Sequence, residues 1–513
     1  MNKNYTFLSI ISLTAAIAFS QNFQQNKDDI YKNIITEVQQ NNQLHQLAVE
    51  LLDEIGPRLV GSPEMKQAHD WAVNTYEKWG INAENIPYGE WKSWQRGITE
   101  ITMTSPRIKS IEGTQLAWNI HTKKAIEAEV IALPLFENKQ HFENWATSVK
   151  GKIVLISAYQ KSGRPEHQWK EHATEEDFEM YKKQVAEATT AWNNSLKATG
   201  KSLRELVQFL EEKGAVGFIQ SFYTGTMGSN RIFYSFTQKS PMVDVSLEDY
   251  GLLHRLATYG KVPKIKINTQ SKNLGTTQTF NTIATIPGTT KPNEYIMLSA
   301  HLDSWDGAQG ATDNGTGTVL MMEVARLIKK YAPNNDRTIV IGHWGSEEQG
   351  LNGSRAYVMD FPSETQKIKV LFNQDSGTGR INYIGGQGFV QAYDYLGSWL
   401  QQVPEFILKH IKTDYPGMPQ TGGTDNASFV AAGIPAFNLG TQNWGYGQYT
   451  WHTNRDTFDK IVFEELEKNV ITTAILTLEA ANYPGEISNE KRTLPNNSQW
   501  PSTKEPLRSS DVY

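Results

Sequence analysis

The chain has 513 residues, a formal net charge of −6 at pH 7 and no cysteine. Hydrophobic residues make up 39% and charged residues 20%, which is typical of a globular protein and excludes a disordered or fibrous chain. Lys and Arg number 49 against 55 Asp and Glu, so the basic excess of a nucleic-acid-binding protein is missing. The lack of cysteine excludes disulfides and thiolate metal sites, so a metal would need His, Asp and Glu.

The N-terminal residues 1–20 have the pattern of a secretory signal peptide. Lys3 supplies a positive charge, residues 7–19 are mostly apolar, and Ala18 and Ser20 are small residues that predict cleavage after Ser20. The apolar run is too short to span a bilayer comfortably, and no other stretch of the sequence reaches about 18 apolar residues. We therefore expect a secreted or periplasmic protein without a membrane span once the signal is removed.

The first half of the chain contains helices followed by short strands. Residues 26–53 and 63–79 are predicted helices, separated by a turn rich in Gly and Pro. Strand-like segments follow at 97–133, 151–157, 214–221, 242–246 and 264–268. A charged helical stretch over residues 173–213 and a short helix at 247–259 lie between them.

From about residue 278, strands and helices alternate. The predicted strands are 295–299, 338–344, 368–373 and 434–439, and the predicted helices are 319–331 and 463–481. This order predicts an α/β domain with a mixed, mainly parallel sheet covered by helices. The polar residues 486–513 are predicted to form a C-terminal tail.

Metal-binding side chains follow each of these four strands. They are His301 with Asp303 and Asp313 after the first strand, Glu347 and Glu348 after the second, Asp375 after the third, and His452 with Asp456 after the fourth. Ligands of open α/β sheets collect beyond the carboxyl ends of the strands. Like-charged buried carboxylates repel one another, so a cluster of them indicates bound cations.

Each of these residues also has an ordinary structural explanation. His301 could be a core histidine, Asp313 could cap the following helix, and His452 could be an exposed loop residue. An acidic pair such as Glu347 and Glu348 is usually solvated. Taken together, however, two imidazoles and several carboxylates favour divalent ions such as zinc, and five ligands with one shared carboxylate indicate a site for two ions.

Four segments resemble the co-catalytic zinc aminopeptidase family. They are HLDSWDGAQGATDN (301–314), EEQGLNGS (347–354), NQDSG (373–377) and WHTNRDTFDKI (451–461). IGPRLVGS (55–62), FNTIATIPG (280–288) and GGTDNASFVAAGIPAFNL (422–439) resemble the carboxypeptidase Q-like branch of that family. The resemblance extends from about residue 30 to residue 483.

The resemblance implies a split catalytic domain of aminopeptidase- and phosphorylase-like fold. Residues 21–124 and 276–485 would form its two parts, and residues 125–275 would be an inserted protease-associated domain that carries the helical stretch. It also implies a homodimer.

The resemblance further assigns the site residues. His301 and Asp375 would bind one zinc ion, Glu348 and His452 the other, and Asp313 would bridge them. Glu347 would be the general base, and Asp303 and Asp456 would support the ligands through hydrogen bonds. The peptide bond between Asp313 and Asn314 is expected to be cis.

These assignments predict a secreted exopeptidase that hydrolyses short peptides, with dipeptides as the favoured substrate. A water between the two ions would lose its proton to Glu347 and attack the peptide carbonyl, and Glu347 would then protonate the leaving amine. Tyr446 and Tyr449 are candidates for stabilising the oxyanion or binding substrate. Two alternatives remain: a secreted glutaminyl cyclase with a single zinc ion, and a non-catalytic binding ectodomain.

Overall fold

A computed structural model describes residues 27–511 of the chain. The predicted signal peptide and its cleavage site lie outside these residues. Within them, every helix is too short or too polar to cross a bilayer.

The first sheet has eight strands and a parallel centre. Its strands, in spatial order, are Asn82–Gln95, Lys272–Ile286, Arg337–Trp344, Lys291–His301, Ile368–Asn373, Ala436–Thr441, Ile381–Gly385 and Lys412–Asp414. The four strands from Arg337–Trp344 to Ala436–Thr441 run parallel, and antiparallel strands flank them. All eight residues of Arg337–Trp344 are buried, as expected for a parallel strand covered on both faces.

Helices cover this sheet and form its core. In the part of the chain that contributes to the first sheet they are residues 27–41, Leu44–Ala48, Pro63–Lys78, Thr316–Tyr331, Asn352–Asp360, Pro362–Lys367, Ala392–Leu400, Glu405–Leu408, Asn426–Ala431 and Phe463–Ala481. The helix Pro63–Lys78 begins where the sequence provides both a cap and a start, because Ser62 accepts a hydrogen bond from Met65 N and Pro63 occupies the first position. The predicted mixed α/β fold, with helices over the sheet, is confirmed.

The second sheet also has eight strands. In spatial order they are Lys109–Ser110, Thr99–Ser105, Lys264–Thr269, Ile126–Ala132, Ile153–Leu155, Gly217–Gln220, Met242–Val245 and Gly113–Gln115. Its helices are Lys139–Trp145, Glu166–His172, Glu175–Ala198, Leu203–Glu212 and Leu247–Thr258.

This second unit, residues 99–269, is inserted between two strands of the first sheet, and we call it the inserted domain. Its sheet includes three short strands that precede residue 125, whereas the sequence placed these strands in the first part of the catalytic domain. The reason is pairing: Thr99–Ser105 is antiparallel to Lys264–Thr269, so both ends of the insertion belong to one sheet. The exact domain limits stay a prediction.

The polar C-terminal residues lie along the first unit. Leu507 N donates to Asn352 Oδ1 at 2.8 Å, and Arg508 forms an ion pair with Asp360 at 2.6 Å. Trp500 Nε1 donates to Val430 O at 2.9 Å. The predicted tail therefore packs on the helices beside the sheet.

An ion cluster around the buried Glu37 ties the N-terminal helix to the helix Thr316–Tyr331. Glu37 accepts hydrogen bonds from Lys330 Nζ at 2.7 Å, Tyr331 Oη at 3.0 Å and Arg326 Nη1 at 3.2 Å. The pKa of Glu37 falls to about 2, chiefly because of the hydrogen bond from Lys330. Burial opposes this shift but is the weaker effect. Glu37 thus holds the first described helix onto the core.

We predict that Glu37→Gln destabilises the protein at neutral pH. Because its pKa is lower in the folded state, the ionised carboxylate stabilises the fold above pH 4.5, and this contribution disappears as the pH falls towards about 2. The expected loss at pH 7 is about 1.5–3 kcal/mol, as for hydrogen bonds to charged groups. Denaturant unfolding of wild type and variant at pH 7 and pH 3 measures it, and an equal difference at both pH values would contradict the prediction.

Candidate metal centre

The predicted ligands lie together at one edge of the first sheet. His301 is the last residue of its strand and lies in register with Trp344, three residues before Glu347. In the next strand, Ser299 pairs with Asn373, two residues before Asp375. Parallel pairing therefore places three chain segments side by side, each at a carboxyl end.

The first of two ligand groups contains His301, Asp313 and Asp375. His301 Nε2 lies 3.3 Å from Asp375 Oδ1 and 3.4 Å from Asp313 Oδ1. The second group contains Asp313, Glu348 and His452: His452 Nε2 lies 2.7 Å from Glu348 Oε2 and 3.1 Å from Asp313 Oδ2. In each group the possible ligand atoms lie within 4.8 Å of one another. Asp313 thus offers one oxygen to each group.

The chemistry of these side chains fits divalent cations. Burial raises the pKa of Glu347 well above its usual value and that of Glu348 to about 7. Burial alone would lower the pKa of His301, yet the carboxylates, chiefly Asp375, raise it well above its normal value. Glu348 Oε1 is buried without a hydrogen-bond partner in the described chain. A pocket that favours positive charge, and leaves a carboxylate oxygen unpaired, suits imidazole- and carboxylate-binding ions.

Asp303 supports both His301 and the glutamate pair. Its carboxylate oxygens accept hydrogen bonds from Glu347 N at 3.0 Å and Glu348 N at 3.2 Å. His301 Nδ1 lies 3.0 Å from the backbone oxygen of Asp303 and 3.5 Å from its carboxylate. The sequence predicted the contact with the imidazole; the hold on the two glutamate amides comes from the tertiary structure.

Asp456 positions Asp313. Its Oδ2 accepts a hydrogen bond from Asp313 N at 3.0 Å, and its Oδ1 accepts hydrogen bonds from Thr312 N at 2.8 Å and Thr312 Oγ1 at 2.7 Å. The peptide bond between Asp313 and Asn314 is cis, as predicted. Asp456 therefore acts on the backbone that presents the shared carboxylate.

Glu347 and the two tyrosines occupy different surroundings. Glu347 is close enough to His301 and Asp375 for their charges to change its pKa. Burial, followed by the charges of Asp313 and Asp375, raises the pKa of Tyr446 well above 10.0, so Tyr446 lies near the ligands. Tyr449 packs against Lys460, whose Nζ is 5.6 Å from the ring centroid. Both tyrosines line a cavity of about 220 Å³ beside Thr312.

Sequence reasoning gave no role to two buried charged residues. Arg58 is fully buried and donates to the carbonyls of Leu302 at 2.6 Å, Gln309 at 2.8 Å and Gly310 at 2.8 Å, so it braces the loop between His301 and Asp313. Asp425 is also fully buried; burial raises its pKa to about 7, and the charge of His301 opposes that shift. The only signal in the sequence was the position of these charged residues in two segments that are otherwise mostly apolar or typical of turns. Arg58 lies in IGPRLVGS (55–62), and Asp425 lies in GGTDNASFVAAGIPAFNL (422–439).

Similar proteins are found by sequence and by structure. Residues 281–476, which contain all five predicted ligands, match the model of Peptidase family M28. Carboxypeptidase Q from Homo sapiens is 26% identical over 425 residues, which are 82% of this chain and 80% of that protein. Leucine aminopeptidase 2 from Arthroderma otae is 33% identical over 210 residues, 39% of this chain and 41% of that protein.

Solved structures show the same fold over nearly the whole chain. A Peptidase M28 precursor from Shewanella amazonensis has a TM-score of 0.66 and 25% identity, covering 92% of this chain and 99% of that chain. A zinc aminopeptidase from Bacillus subtilis, at 20% identity, has a TM-score of 0.54 and covers 87% and 97%. The segment that carries the predicted ligands therefore matches Peptidase family M28, and the chain is a metallopeptidase of the exopeptidase class.

Proposed function

We propose that the protein is a secreted exopeptidase that holds two zinc ions per chain and hydrolyses short peptides, above all dipeptides. The observation that carries the proposal is Asp313, whose two oxygens face two separate pairs of ligands, His301 with Asp375 and Glu348 with His452. With one oxygen towards each pair, Asp313 would be the carboxylate that both ions share.

Zinc is the proposed metal because all five ligands are imidazoles or carboxylates, donors that zinc accepts. The relative from Bacillus subtilis is described as a zinc aminopeptidase, which supports the same choice. When bound, two such ions polarise a substrate carbonyl and make water more acidic.

The chain supplies the proton transfers through Glu347. Its carboxylate takes the proton of the attacking water and passes it to the leaving amine, so it acts as base and then as acid. Burial raises the pKa of Glu347, which suits a group that must hold a proton transiently. Asp303 fixes the peptide amide of Glu347 and thereby the position of this carboxylate. Tyr446, near the ligands, is the proposed residue for stabilising charge on the carbonyl oxygen.

Short substrates are favoured by the walls of the site. Trp305 is buried beside His452, with ring centroids 6.3 Å apart, and Phe233 of the inserted domain lies 5.3 Å from the same imidazole. Aromatic walls this close to a ligand leave little room for a long polypeptide. The relatives named carboxypeptidase Q and leucine aminopeptidase 2 support an exopeptidase that acts at a chain end. Export through the signal peptide and assembly as a homodimer are part of the proposal.

We predict that Glu347→Gln abolishes turnover but keeps the metal. The amide retains the size of the carboxylate but cannot take a proton, so kcat on a free dipeptide should fall at least about 100-fold, the lower end of the range for general acid–base catalysis. Metal analysis of the purified variant should still give two zinc ions per chain. The exposed Glu405→Gln is the matched control and should behave as wild type. Normal turnover by Glu347→Gln would disprove its role.

We also predict which substrates the enzyme accepts. A panel of free dipeptides, N-blocked dipeptides, aminoacyl anilides and a peptide with N-terminal Gln separates the possibilities. Cleavage of free dipeptides alone is the expected result. Cleavage of the anilides would show a general aminopeptidase, and cleavage of N-blocked dipeptides a carboxypeptidase. Pyroglutamate release with one zinc per chain would replace the proposal by a cyclase, and no metal and no turnover would leave only a binding role.

A further inference from the structure

The inserted domain touches the loop that carries His452. We call residues 229–234 the bridging segment. Ile232 N donates a hydrogen bond to the backbone oxygen of His452 at 2.9 Å, and Arg231 pairs with Thr453 as an antiparallel bridge. At the residue after Thr453, Asn454 N donates a hydrogen bond to Asn230 O at 3.0 Å. Asn454 Oδ1 accepts a hydrogen bond from Asn230 N at 2.9 Å. Backbone hydrogen bonds thus join the two domains at a metal ligand.

Side chains of both domains enclose the imidazole of His452. The ring of Phe233 meets it edge-on, with centroids 5.3 Å apart and an angle of 81°. Trp451 stacks on it, with ring centroids 3.9 Å apart. The guanidinium carbon of Arg231 lies 4.6 Å from the ring centroid of Trp451. The inserted domain therefore contributes directly to the packing around this ligand.

His452 needs such support for two reasons. Its φ of 59° lies in the left-handed region, which is unfavourable for a residue that has a side chain. Such a conformation persists only where the surrounding structure holds it. Its Nδ1 is buried and has no hydrogen-bond partner among the described residues. A metal-binding imidazole is usually oriented by a hydrogen bond to its second nitrogen. For His301 that partner is Asp303, whereas for His452 packing must do the same.

The bridging segment is itself firmly attached to the second sheet. Asp244, buried in the strand Met242–Val245, accepts hydrogen bonds from Phe222 N at 2.8 Å and from Asn230 Nδ2 at 2.7 Å. Both ends of the loop from Phe222 to Asn230 are therefore fixed to one carboxylate. A rigid loop can hold His452 in a strained conformation, while a mobile one could not.

We infer that the inserted domain is a positioning element for one of the two metal sites. Phe233 and the backbone of the bridging segment hold His452 in its binding orientation, so the affinity of the ion at Glu348 and His452 depends on contact between the domains. The ion at His301 and Asp375 does not depend on it, because His301 is oriented by Asp303 in the first unit. This inference rests on the proposed two-metal site.

Zinc titration of the metal-stripped full-length protein against a chromophoric chelator tests the inference. The ion that is lost in His452→Ala defines the site in question. Phe233→Ala and Asn454→Ala should lower the affinity of that ion by about 10- to 100-fold, the usual effect of removing a residue that orients a metal ligand. The affinity of the other ion should stay as in wild type, because Asp303 still orients His301 in these variants. Met227→Ala, exposed on the same loop, is the matched control and should bind both ions as wild type does.

Equal weakening of both ions, or wild-type affinity in Phe233→Ala and Asn454→Ala, would overturn the inference. So would retention of every ion in His452→Ala. Circular dichroism and thermal unfolding check that the variants fold, and Phe233→Leu, which keeps most of the apolar volume, replaces Phe233→Ala if that variant does not. A wild type that binds two ions but cleaves no peptide would count against the proposed function alone, since the titration does not depend on turnover.

Discussion

The repulsion between buried carboxylates at one edge of the first sheet is the constraint on which the site depends. Asp313, Glu347, Glu348 and Asp375 converge there, and burial pushes Glu347 and Glu348 towards their neutral forms. Bound cations would remove this conflict, because they would replace the lost hydration and the mutual repulsion with attraction. The same carboxylates that would destabilise an empty pocket are therefore the reason that the pocket would bind cations.

Much of the surrounding structure serves to hold these carboxylates in place. Asp303 binds the amides of the glutamate pair, Asp456 binds the amide of Asp313, and Arg58 ties together the carbonyls of the loop between His301 and Asp313. These residues act on the backbone as well as on the ligand side chains. Hydrogen bonds to the backbone fix the position of the Cα atom that carries each ligand side chain. Buried hydrogen bonds of this kind are costly to break. The position of the carboxylates is thus set by hydrogen bonds within the chain.

The two groups of predicted ligands differ in how they are supported. His301 lies at the end of a central strand, where sheet pairing and Asp303 determine its position. His452 lies on a long loop, in a left-handed conformation, and its surroundings include the inserted domain. An insertion that would otherwise be a separate unit therefore shares in the construction of the site. This arrangement couples the relative position of the domains to one ligand group.

The sequence alone determined where the four central strands of the first unit lie along the chain, the ligand types and the likeness to zinc aminopeptidases. Short apolar runs such as 368–373 and 338–344 became strands because a parallel strand covered on both faces needs an uninterrupted apolar sequence. Polar residues directly after such runs converge because parallel strands end at the same edge. Local patterns of this kind are visible without knowing the fold.

Only the tertiary structure decided which atoms meet across long sequence distances. The two oxygens of Asp313 point to different histidines, and Arg58 reaches a loop 244 residues away, neither of which follows from spacing. The strands before residue 125 joined the second sheet because their pairing partner comes from residues 264–269. Hydrogen-bond pairing and burial between distant segments are properties of the folded chain, and local sequence carries no record of them.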